Sequence, residues 1–125
     1  MKKYQRIFSF SLLAVIVLIS RLVDLDAFMS PDEPQWERNT QNFVIALKTL
    51  DTKNFYQQPH PGITTQWLGA FSISEESWGE KRFPLALFLS IAVLYISYLI
   101  KKLFGDATAL LIGFLLALNP LLIAH

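Results

Sequence analysis

Apolar side chains gather in three long runs, Ile7 to Val23, Phe83 to Ile100 and Ala107 to Ala124, and a polar, acid-rich segment from Asp24 to Arg82 separates the first run from the second. Each run holds 17 or 18 residues. As a helix rising ~1.5 Å per residue, such a run extends about 27 Å, close to the ~30 Å hydrocarbon core of a bilayer. The pattern predicts an all-α polytopic membrane protein with three transmembrane helices and a long extracytoplasmic loop containing interfacial amphipathic helices. Arg21 stands near the end of the first run, where a long cationic side chain is able to snorkel to the interface. A cleaved signal peptide competes for the first run, because Lys2, Lys3 and Arg6 form a basic region ahead of it. The length of the run and the lack of a small-x-small cleavage site after Ser20 favour a retained helix.

Inside the polar segment the periodicity changes to that of shorter helices. Ser30-Pro31-Asp32-Glu33 has the Ser-x-x-Glu spacing of a capping box, and Pro34 allows an alternative start with Asp32 as the cap and Gln35 three residues on. From either start, Trp36, Thr40, Phe43, Leu47 and Leu50 recur at spacings of three and four, with Glu37, Arg38, Gln41 and Lys48 off the stripe. That is the pattern of an amphipathic helix lying on a membrane surface. A second such helix is expected from about Gly62 to Phe71, with Ile63, Trp67, Ala70 and Phe71 on one face.

Charge then fixes an orientation. Lys2, Lys3, Arg6, Lys101 and Lys102 flank one side of the three runs, with Asp106 as the acid there, which makes that side cytoplasmic. The other nine of the ten acids, Asp24, Asp26, Asp32, Glu33, Glu37, Asp51, Glu75, Glu76 and Glu80, lie in the segment facing the opposite way. The expected location is the inner (plasma) membrane, with the amino terminus cytoplasmic and residues 24–82 outside. Lys81 and Arg82 run against the trend on the outer side, where they either anchor the chain at the interface or hold an anionic headgroup.

Composition narrows the function classes. A hydrophobic content of 53% with a mean hydropathy of +0.38 places the chain among membrane proteins rather than small soluble domains. A net charge of +1 without a basic run speaks against nucleic-acid binding. With no cysteine, no disulfide is involved. No phosphate-binding Gly-rich loop, zinc-ligand spacing or Gly-x-Ser-x-Gly elbow is present, so no metal is expected.

The order of short motifs carries a resemblance. A first apolar run is followed by Pro31-Asp32-Glu33-Pro34, then His60-Pro61-Gly62-Ile63-Thr64-Thr65, then Arg82-Phe83-Pro84 leading to Lys101-Lys102-Leu103-Phe104-Gly105, and finally Leu116-Ala117-Leu118-Asn119-Pro120. This series resembles the amino-terminal end of a GT-C glycosyltransferase. It is most similar to the family 39 type, which includes protein O-mannosyltransferases and the lipid A aminoarabinose transferase, and to the related RgtA/B/C/D-like bacterial proteins. The resemblance implies inverting transfer of a sugar from a polyprenyl-phosphate donor to a protein, lipid or glycan acceptor at the extracytoplasmic face, with no cofactor beyond the lipid-linked co-substrate. It casts Asp32 as the catalytic carboxylate, which would take the acceptor hydroxyl's proton as attack proceeds. Glu33, His60, Lys81 and Arg82 become substrate-site candidates, the two cations for the carrier phosphate.

Each assignment has a plainer competitor. Acids in a first helical turn are ordinary caps. A loop histidine is commonly solvated, and Pro61-Gly62-Ile63 departs from the Pro-Pro-Leu frequent in the family. Trp36, Trp67 and Trp78 suit an interfacial aromatic belt better than sugar stacking. Proteins of this resemblance continue several-fold beyond the position of His125 here, so the sequence is expected to be an amino-terminal fragment, inactive alone. The reading from the other class is a small non-catalytic three-helix membrane protein acting as an interaction or assembly subunit. Gly113 and Ala117, four residues apart, offer it a small tight-packing pair.

Overall fold

The computed structural model describes residues 3–27, 31–55, 63–74 and 76–119. Among the described residues all regular structure is helical: α1 (Lys3–Leu22), α2 (Glu33–Thr49), a 3-10 turn (Thr52–Asn54), α3 (Ile63–Ala70), α4 (Trp78–Phe104) and α5 (Asp106–Ala117). The chain divides into two compact units, one formed by residues 1–23 and 86–125 and the other by residues 24–85. They are called here the helical unit and the loop unit.

In the helical unit, Leu13 and Val17 of α1, Val93 of α4 and Ala117 of α5 form the buried centre, with Phe10, Ile16, Leu94, Leu110, Phe114 and Leu116 packed around it. Contacts fix the directions. Arg6 approaches Asp106 at 4.0 Å, while Ser20 donates to the Ala117 carbonyl at 3.2 Å, so α1 and α5 run parallel. The ammonium of Lys101 lies 4.6 Å from the Phe10 ring centroid, which sets the carboxyl end of α4 beside the start of α1. Between α4 and α5 the chain turns at Gly105, whose φ of 87° is a left-handed conformation that a side chain resists.

The small residues Ala109, Gly113 and Ala117 recur every fourth position on α5 and are all buried. A Cβ at Gly113 would lie 2.6 Å from Leu13 Cδ2 and 2.7 Å from Ser97 Oγ. The small face is therefore consumed inside the chain, where it lets α5 approach its neighbours closely. Gly113→Leu is expected to force α5 off its neighbours at a cost of about 1–3 kcal/mol or more, read as a lowered midpoint of thermal aggregation in detergent. An unchanged midpoint would show that the packing is slack.

Arg21 does not snorkel. It is 1% exposed, and its guanidinium donates to the carbonyls of Leu116 at 2.7 Å and Ala117 at 3.2 Å and to Ser20 Oγ. The reason is directional: side chains on a helix lean toward its amino terminus. Arg21 therefore reaches back along α1, where it meets the unsatisfied carbonyls that end α5 and complements their negative dipole.

The helix bounds also differ from those expected. α1 and α4 are long and apolar enough to cross a membrane, and α5, of 12 residues, is shorter. α5 closes at Ala117 because Asn119 precedes Pro120, and the residue before a proline is pushed out of the helical region. Residues 120–124 of the expected third run lie outside the described residues. α4 starts five residues before Phe83, at Trp78, for a reason that sequence makes plain afterwards. Ser77 and Glu80 form a reciprocal capping box, with Ser77 Oγ accepting from the Glu80 N–H and the Glu80 carboxylate accepting from the Ser77 N–H and hydroxyl. Exposed apolar side chains cover α1 (Ile7, Phe8, Leu12, Val15, Ile19) and α4 (Phe88, Ile91, Ile96, Leu99). Surfaces of that kind are costly in water and suited to lipid.

The loop unit is built around α2 and α3. Phe43 is 1% exposed and meets Trp67 and Phe55 edge-on, with ring centroids 5.1 Å and 6.2 Å apart. Gly69 lets α3 approach Thr40 of α2, since a Cβ there would sit 3.2 Å from Thr40 Cγ2. The α2 stripe expected to lie on the membrane is thus occupied by α3 at Thr40 and Phe43. Leu50, expected on that stripe, is instead the left-handed residue that ends α2 (φ 55°) and is exposed.

Candidate functional site

The acidic pair at the head of α2 is split by the fold into two different environments. Asp32 is the N-cap residue, and its carbonyl accepts the N–H groups of Gln35 and Trp36. Its exposed carboxylate makes no capping hydrogen bond, and no hydrogen bond or ion pair of that side chain occurs among the described residues. Gln35 does not complete a capping box, because its amide bonds Asn39 and Arg38 instead. Ser30 lies outside the described residues, and with it the other expected helix start.

Glu33, one residue on, is buried and pairs with Arg82 of α4 at 2.5 Å. The Arg82 guanidinium also donates to the Leu25 carbonyl in the turn after Val23. A single cation therefore ties three stretches of the loop unit together: that turn, the first residue of α2 and the first turns of α4. One helical turn along α2, Glu37 pairs at 2.7 Å with Lys81, the residue just before Arg82, and the Lys81 ammonium lies 4.9 Å from the Trp78 ring centroid. Asp26 completes the arrangement by accepting the Gly79 N–H near the amino terminus of α4, where a carboxylate also favours the helix dipole. A Cβ on Gly79 would stand 2.6 Å from Asp26 Oδ2, so a larger residue there would push the Asp26 carboxylate away.

The expected site residues Glu33, Lys81 and Arg82 are thus brought together beside Asp32, although not as expected. The two cations are not free at an exposed interface. Their side chains are 19% and 10% exposed and each already holds a carboxylate. His60 lies outside the described residues. Sequence reasoning missed Asp26 and Glu37 as members of the cluster. Glu37 carried a signal, being one helical turn beyond Glu33 just as two adjacent cations open α4, whereas nothing in the local pattern marks Asp26. Among the described residues no group of three or more metal-ligating side chains forms.

What the arrangement can do chemically follows from this division. The paired residues form an internally neutralised frame, and Asp32 rides on it with neither carboxylate oxygen engaged among the described residues. A carboxylate so placed accepts a proton or orients a hydroxyl without first breaking an existing bond. No protein-family model, curated protein or solved structure matches this chain.

Proposed function

We propose that the chain contributes the acceptor-activating end of an integral membrane glycosyltransferase that uses a polyprenyl-phosphate-linked sugar. The observation that carries this reading is the asymmetry of the acidic pair: Glu33 is locked to Arg82, while the Asp32 side chain beside it is exposed and has no partner among the described residues. In this reading Asp32 is the general base that takes the proton of the acceptor hydroxyl. Glu33 and Arg82 are the pair that holds it in place. Lys81 is the cation for the donor phosphate, exchanging Glu37 for it as donor binds. His60 would line the same site, as the motif order implies.

The apolar faces of α1 and α4 support membrane crossing, and the parallel α1 and α5 with antiparallel α4 suit a serial passage through a bilayer. The basic ends of α1 and α4 would then be cytoplasmic and the loop unit extracytoplasmic. Trp67 and Phe71 of the α3 segment, both exposed, would sit at the headgroup level. The lack of cysteine makes this orientation directly testable. A single Glu76→Cys is expected to react with a membrane-impermeant maleimide added outside intact cells, and a single Leu103→Cys only after lysis. The opposite pattern would invert the topology and remove Asp32 from the outer face.

For the activity itself, native membranes that hold the chain in its complete context are expected to move radiolabel from a polyprenyl-phosphate sugar to a hydroxyl acceptor. Membranes in which Asp32 is replaced by Asn should not. Label transfer that persists in the Asp32→Asn protein would refute the proposed base.

A further inference from the structure

The far end of α2 carries a second polar feature, separate from the acidic pair. Asn42, Ile45, Ala46 and Thr49 follow the i, i+3, i+4, i+7 order and so share one stripe of the helix. Leu50 then turns the chain in its left-handed conformation, and Asp51 and Asn54 of the 3-10 turn close the stripe into a depression of about 260 Å³.

The hydrogen-bonding capacity of its walls is specific. The Thr49 hydroxyl spends its proton on the carbonyls of Ile45 and Ala46, at 3.0 Å and 3.3 Å, which leaves its oxygen an acceptor. Asp51 accepts the Asn54 amide at 2.7 Å through one carboxylate oxygen, and the other oxygen adds a further acceptor. The Asn42 carboxamide makes no hydrogen bond among the described residues and offers both a donor and an acceptor. Among the described residues no Lys or Arg lines the depression and no aromatic ring floors it. Asp51 disfavours phosphate and carboxylate ligands, and the described walls give a planar aromatic ligand nothing to stack on. The complementary chemistry is a neutral molecule rich in hydroxyl donors with one C–H face to rest on Ile45 and Ala46.

We propose that this depression binds one unit of a neutral saccharide. Thr49 lies 17 positions beyond Asp32, which is about 26 Å along α2 at ~1.5 Å per residue. An oligosaccharide acceptor of several units spans that length, with its reacting end at Asp32 and a remote unit held here. Naming the saccharide as the acceptor rests on the transferase reading above, whereas its binding does not.

The test is saturation-transfer NMR on the intact protein in nanodiscs, with mannotriose, maltotriose and chitotriose each offered at millimolar concentration. At least one is expected to bind. Asn42→Leu and Thr49→Val, both at exposed positions, should each weaken that binding about tenfold, while Asp32→Asn leaves it unchanged. Failure of all three saccharides to bind overturns the proposal, as does binding that both substitutions leave intact. Binding that depends on Asn42 in a protein without transfer activity would sink the transferase reading and keep the subsite. Transfer that requires Asp32, with no saccharide binding at the depression, would do the reverse.

Discussion

Arg82→Met is expected to destabilise the loop unit by about 3–5 kcal/mol, because it strips the guanidinium counter-charge from the buried Glu33 carboxylate. Arg82 and Glu33 have side chains only 10% and 6% exposed, so solvent screens little of the loss. The guanidinium also anchors the Leu25 carbonyl, and the turn after Val23 should loosen together with the start of α2. Glu33→Met should cost a comparable amount by stranding the cation. The double replacement Glu33→Met with Arg82→Met should cost much less than the sum, since two apolar side chains of similar volume replace a pair whose desolvation was itself expensive. Limited proteolysis of the loop unit across the four proteins measures the cycle. Additive losses would mean that the two residues act independently and that the clamp is not a unit.

Asp32→Asn should behave in the opposite way. Its side chain has no partner among the described residues to lose, so the substitution is expected to leave proteolytic resistance where it was. Transfer, by contrast, should fall by roughly 10²–10⁴, the usual worth of a positioned general base. The fall should appear in kcat, with the KM for the lipid-linked donor little changed, because in the proposed reaction the carboxylate would act on the acceptor's proton rather than on the donor phosphate. Neighbouring carboxylates one residue apart would thus separate cleanly: Glu33 governs stability and Asp32 governs rate. A proteolytic loss in Asp32→Asn equal to that in Glu33→Met would show that Asp32 is part of the frame.

Much of the fold is legible in the chain. The apolar runs mark α1 and α4, and the spacing of Thr40 and Phe43 marks the inner face of α2, because burial imposes a period that survives in the sequence. The start of α4 is written in Ser77 and Glu80, ahead of the apolar run that begins at Phe83. What the pattern did not disclose is partner choice. A stripe such as that of α2 is equally apolar whether lipid or α3 covers it, and Gly69 settles the matter only when Thr40 is seen beside it. Arg21 illustrates the same limit, since a cation near a helix end reads as a snorkelling residue until the carbonyls of Leu116 and Ala117 are found within its reach.

The candidate site was half visible. Asp32-Glu33 and Lys81-Arg82 stand out as charge pairs, but sequence gives each pair no reason to treat its members differently. The fold supplies that reason: Glu33, at the first helical position of α2, faces Arg82, whereas Asp32, at the cap, remains outside. Asp26 joins through a backbone contact to Gly79, and such contacts leave almost no trace in side-chain pattern.

The most direct measurement is the single-turnover rate of sugar transfer by the intact protein with donor prebound, comparing the native residue with Asn at position 32. A rate lower by at least about a hundredfold, with donor binding retained, is what an uncommitted base on a clamped frame predicts. An equal rate in the two proteins would contradict the account, because the exposed carboxylate would then have no part in the reaction.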